Sequence, residues 1–74
     1  MNLKDSKIAQ SLVGEKVKFE ATCELFPHQG IAGKVVRIER SKTNEILYIV
    51  KTPKRGFELS VGANTRGLVA TISQ

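Results

Sequence analysis

The stretch from Gln29 to Arg40, QGIAGKVVRIER, constrains the fold more than any other part of the chain. Gly30 and Gly33 flank Ile31 and Ala32. Two glycines at a strand entry mark a tight turn or a close backbone approach where a Cβ would collide. Beyond them a period of two turns Val36 and Ile38 toward a core, with Val35, Arg37 and Glu39 toward water. Lys34 and Arg40 share the parity of the buried residues, so they must escape at the strand ends. Arg37 is then the one mid-strand cation held on a rigid element.

The same periodicity reads through the rest of the chain. Lys16–Ala21 places Val17, Phe19 and Ala21 on one face and Lys16, Lys18 and Glu20 on the other. Glu45–Lys51 contains five consecutive apolar residues and reads as a central strand covered on both faces. Phe57–Val61 alternates with Phe57, Leu59 and Val61 inward, and Leu68–Ile72 closes the series. Between these lie the polar hairpin Ser41-Lys42-Thr43-Asn44, the basic loop Thr52–Gly56, and Gly62–Gly67, whose turn residues suit one short helical turn. Residues 3–12 form a short amphipathic helix with Ile8 and Leu12 at i, i+4, capped by Asn2 or Asp5 and ended by Gly14.

Seventy-four residues allow one domain with a thin core. A single cysteine, Cys23, rules out an intramolecular disulfide of the kind small secreted domains rely on. The first residues carry charges throughout and lack the apolar run of a signal peptide, and no segment reaches the length of a membrane span. These features predict a cytoplasmic protein without membrane contact. Residues 1–30 hold four lysines against four carboxylates, whereas residues 31–74 hold eight cations against three. The whole net charge of +5 therefore belongs to the strand-rich part, and such a field attracts phosphates, anionic lipid heads or acidic proteins.

Five short, closely spaced strands imply a small barrel or curled sheet. The order of strands, long loop, hairpins and turn resembles the Src-homology-3-type barrel over residues 14–74, preceded by a short helix or flexible arm at 1–13. Within it, Gly30–Arg40 resembles a KOW motif, in which a glycine precedes an alternating strand carrying basic residues. The long loop departs from that pattern, because Cys23-Glu24-Leu25-Phe26 has no basic residue. KOW-bearing barrels are common in ribosomal and transcription-elongation proteins, so the resemblance implies binding to RNA or DNA.

The residues offer a matching set of cations. Lys34, Arg37, Arg40 and Lys42 follow one strand and its hairpin, and Lys51, Lys54 and Arg55 lie along the next loop. They suit phosphate contact, or else a solvated face in which Glu39 and Glu58 pair across strands. Phe26, His28 and Tyr48 are candidates for stacking on unpaired bases or for partner contact, with core packing the commoner fate of Tyr48. Phe19 and Phe57 are assigned to the core. Arg66, beside a turn, suits an anion anchor or a cover for the barrel mouth. Cys23, Glu24 and His28 lack the further ligands zinc requires, so Cys23 reads as a buried structural thiol and no metal is expected.

One histidine cannot assemble a nucleophile, base and orienter, so no catalytic residue and no cofactor are assigned. The plasmid-type dihydrofolate reductases are similarly short barrels, but their Val-Gln-Ile-Tyr strand motif is replaced here by Phe57-Glu58-Leu59-Ser60-Val61. The expected protein is mainly β: a five-stranded Src-homology-3-like barrel acting as a non-catalytic nucleic-acid-binding module. The alternative is a protein-interaction module or small assembly subunit of open oligomeric state, motivated by Leu25 and Phe26 in the long loop and by Ile8 and Leu12 on the helix.

Overall fold

A computed structural model describes residues 2–26, 30–53 and 56–73. It is mainly β. One helix, α1 (Ser6–Leu12), precedes five strands: β1 (Lys16–Glu20), β2 (Ile31–Arg40), β3 (Ile46–Lys51), β4 (Glu58–Gly62) and β5 (Val69–Ile72). All pairings are antiparallel, in the order β4-β3-β2-β1-β5. The sheet is open, with β4 and β5 as its edges. The central strand is β2; β3 stands one place from the edge, although its five-residue apolar run is covered on both faces, as the run demands.

The helix begins where Asp5 caps it, accepting from the backbone N–H groups of Lys7 and Ile8. It is too short to stand alone, and its buried face explains its survival. Ala9 and Leu12 join Leu3, Val17, Phe19, Val35, Tyr48, Val50 and Val61 in one core. Leu12 is thus consumed by the molecule's own packing and is not offered to a partner. Tyr48, fully covered, donates its hydroxyl to the Leu3 carbonyl at 2.6 Å and tilts against Phe19 with ring centroids 5.3 Å apart. That bond ties the segment before the helix to the middle of the sheet.

The alternation expected along β2 fails at one residue. Val35 is fully buried and pairs with Val50, yet the next pair is Arg37 with Ile49, so Val36 is the extra residue of a β-bulge. An inserted residue shifts the side-chain parity. Val35 and Ile38 both turn toward the core side, and Lys34 and Arg37 are brought onto the same outer face. The expectation that Val35 points outward is corrected by this bulge, as is the inward parity of Lys34. Arg40 does share the parity of Ile46, its buried partner, and escapes at the strand end.

Three further expectations change. Phe57 is 54% exposed, because β4 starts one residue later and Phe57 belongs to the preceding bend. Residues 62–68 make two successive i→i+3 turns, Thr65 N–H to Gly62 and Leu68 N–H to Thr65, where a helical turn was expected. Cys23 is half-buried and not one of the buried core residues. The glycines of the β2 entry behave as their spacing implies. Gly30 has φ of 75° and a Cβ there would lie 2.6 Å from the Phe19 carbonyl oxygen; at Gly33 it would strike the Lys51 carbonyl oxygen.

Candidate functional site

The cations expected to form one patch separate along β2. Arg40 and Lys42 sit at its hairpin end, where Arg40 Nη1 donates to the Asn44 carbonyl and side-chain oxygens at 3.3 and 3.4 Å. Lys34 lies six residues away, about 20 Å along an extended strand. Arg37 stands between them with its guanidinium engaged. Its Nη1 donates to both Glu58 carboxylate oxygens at 2.9 Å, and its Nε to Glu39 at 3.2 Å. These bonds, Glu58 first, raise the guanidinium pKa above its ordinary value. Arg37 is therefore not the unengaged cation that its strand position suggests. Lys54, Arg55 and His28 lie outside the described residues.

Strand register builds a different cluster around Lys34. Lys16 on β1 is its direct partner on one side, and Lys51 on β3 is its direct partner on the other. Three lysines thus form one row across three adjacent strands, each exposed. Directly opposed side chains have Cβ atoms about 5 Å apart, so the row spans about 10 Å. Like charges placed this way repel and destabilise the sheet. Among the described residues no carboxylate lies within ion-pair distance of any of the three. Glu20 is held by Lys18 at 2.9 Å, and Glu58, which the register sets opposite Lys51, is held by Arg37.

The row borders a cleft of about 540 Å³. The cleft arises because β2 pairs with β3 only from Lys34 onward, while Ile31–Gly33 pair with β1 alone. The sheet splits at that point, between the β2 entry on one side and Lys51–Pro53 with Leu59 on the other. Gly33 permits the pinch where the two sides meet, its missing side chain leaving room for the Lys51 carbonyl. Val17, Ala32 and Gly33 line the cleft together with the three lysines. At the same end, Thr52 is 7% exposed and its hydroxyl has no hydrogen-bond partner among the described residues.

The stacking candidates do not gather at this site. Tyr48 is fully buried in the core, which corrects its assignment as a contact residue. Phe26 is half-buried against the core and borders a second cleft of about 400 Å³ with Leu25, Cys23 and Arg66. Among the described residues no group of three or more His, Cys, Asp or Glu side chains is placed to hold a metal ion, and no helix is long and apolar enough to cross a membrane. Sequence reasoning placed Lys16 correctly on an outer face but did not join it to Lys34 and Lys51, because only register brings the three together. No family model matches the chain, and neither the curated proteins nor the solved structures provide a match.

Proposed function

We propose that this chain is a non-catalytic nucleic-acid-binding module that grips the phosphate backbone with Lys16, Lys34 and Lys51. The observation that carries this reading is the row itself. Three like charges stand in register with no carboxylate among the described residues to neutralise them, an arrangement that costs stability and suits an anionic ligand. The net charge of +5 adds a long-range attraction for polyanions. The glycine-opened strand that carries Lys34 supports the KOW-like reading. Phe19 and Tyr48 lie in the core and leave the row to contact the phosphate backbone, while the exposed Phe57, next in the chain to Glu58, is the described aromatic nearest to it in register.

The test is a fluorescence-anisotropy titration with labelled mixed-sequence single-stranded and duplex oligonucleotides at two salt concentrations. Three lysine contacts predict a log–log salt slope of roughly −2 to −3, with little dependence on base sequence. Absence of binding at about 50 mM salt, where the electrostatic attraction is strong, overturns the reading. A second reading, a protein-interaction module, is favoured by Leu25, which is 95% exposed beside the Phe26 cleft. Replacing Leu25 with Ser leaves nucleic-acid affinity unchanged on the first reading and abolishes partner or self-association on the second.

A further inference from the structure

We infer that Arg37 is a positioning residue: it holds Glu58 away from Lys51 and so keeps the lysine row available to a phosphodiester ligand, without itself touching that ligand. The inference rests on the nucleic-acid reading above and assigns the Arg37–Glu58 ion pair a part in it.

Register makes Glu58 the natural partner of Lys51, since the two are directly opposed on β4 and β3 with side chains on the same face. An opposed Lys–Glu pair on an exposed sheet face ordinarily attracts. Here both Glu58 oxygens instead lie 2.9 Å from Arg37 Nη1. Arg37 stands on β2, two strands away, opposite Ile49. Its side chain reaches over β3 to meet Glu58, and Ile49 beneath that span is only 4% exposed although it lies outside the core cluster. Glu39 completes the arrangement by accepting from Nε.

The competition favours Arg37 for physical reasons. A guanidinium donates through several fixed N–H groups and is weakly hydrated, whereas the Lys51 ammonium is a strongly hydrated point charge on a flexible stem. The Val36 bulge makes the competition possible, because without it Arg37 would turn to the opposite face from Lys34 and Lys51. With Glu58 withdrawn, the potential at the row is that of three cations. If Arg37 is lost, Glu58 is free to swing to Lys51 and cancel one of them.

The experiment uses the full chain and a short fluorescein-labelled single-stranded DNA of mixed sequence. Arg37→Met removes the charge and keeps a long stem over Ile49; thermal melts confirm that each variant folds, and Arg37→Gln serves if the Met variant does not. Arg37→Met is expected to weaken binding about as much as Lys51→Gln, roughly three- to tenfold at low salt, and to reduce the salt slope by about one. The double variant Arg37→Met with Glu58→Gln has the net charge of the wild type and is expected to recover wild-type affinity and slope. Arg37→Met with Glu39→Gln has the same net charge but leaves Glu58 ionised, and is expected to remain weak.

If the Glu58 double variant binds as poorly as Arg37→Met alone, Arg37 contacts the phosphate itself and the inference fails. It also fails if Glu39→Gln restores binding equally, because total charge would then be the cause, or if Arg37→Met binds like the wild type. A wild-type chain that does not bind at low salt instead removes the nucleic-acid reading on which the inference stands.

Discussion

Replacing Lys34 with Gln should make the protein more stable and less able to bind. Lys34 is the centre of the row, with Lys16 and Lys51 directly opposed on either side. Taking ammonium separations of about 7 Å, each repulsion is about 0.6 kcal/mol in water and about half that at 0.1 M salt. Two such contacts give a gain of about 0.6 kcal/mol on neutralising Lys34, within the range measured for cross-strand pairs. In a domain of this size that corresponds to a rise in Tm of about 3 °C. Lys42→Gln removes the same charge from the hairpin tip, where the row is out of reach, and so reports the contribution of net charge alone. Calorimetry at low and high salt is the assay. The advantage of Lys34→Gln over Lys42→Gln should be greatest at low salt and fall, near 0.5 M, to less than about half of its value at 0.1 M. The same variant should lose oligonucleotide affinity. A fall in Tm, or a gain that does not depend on salt, would show that the three lysines splay apart, and the electrostatic argument for the site would go with it.

Two further outcomes follow from the fold. Tyr48→Phe keeps the ring but strands the Leu3 carbonyl, at a cost of about 1–2 kcal/mol and a Tm lower by roughly 5–10 °C. Burial first, and then the Asp5 carboxylate, raise the Tyr48 pKa above its ordinary value. The protonated phenol is therefore favoured by folding, its contribution is complete below about pH 10, and it is lost as pH climbs through the raised value; melts from pH 8 to 11 should show a steeper alkaline loss in the wild type than in Tyr48→Phe. Gly33→Ala drives a Cβ into the Lys51 carbonyl oxygen, so either the β2–β3 pinch opens or the protein loses about 1–3 kcal/mol, and slower amide exchange at Lys34 and Lys51 than in the wild type would contradict this.

Strand existence was legible because period-two patterning survives in any register. Val17 and Phe19 on β1, and Val61 on β4, are buried as their alternation requires. The helix was legible from Asp5, Leu12 and Gly14, and the glycines of the β2 entry from their spacing. The β2 bulge was not. Val35-Val36 is a pair of identical side chains, and nothing in the local chemistry says which of two adjacent valines faces the core and which is the inserted residue. Phe57 was misplaced for a related reason: a large aromatic in phase with Leu59 and Val61 looks like core, but the strand begins only after it.

The candidate site depends on the link that sequence patterning carries least well. Alternation states which residues share a face of one strand, whereas a site on a sheet is made from residues that share a row across strands. Lys16, Lys34 and Lys51 are separated by 18 and 17 positions in the chain, and only the register of two antiparallel pairings makes them neighbours. The same register turns Glu58 from a partner of Lys51 into a partner of Arg37, because the bulge advances Arg37 by one residue along β2. Whether Val36 is bulged or paired therefore decides both which cations stand together and which carboxylate is kept from them. Deleting Val36 would restore strict alternation. It would leave Lys34 opposite Lys51 and Arg37 opposite Ile49 on the same outer face, so the deletion variant should keep both the row and the ion pair that guards it, and a loss of oligonucleotide binding by a folded deletion variant would refute this account of the register.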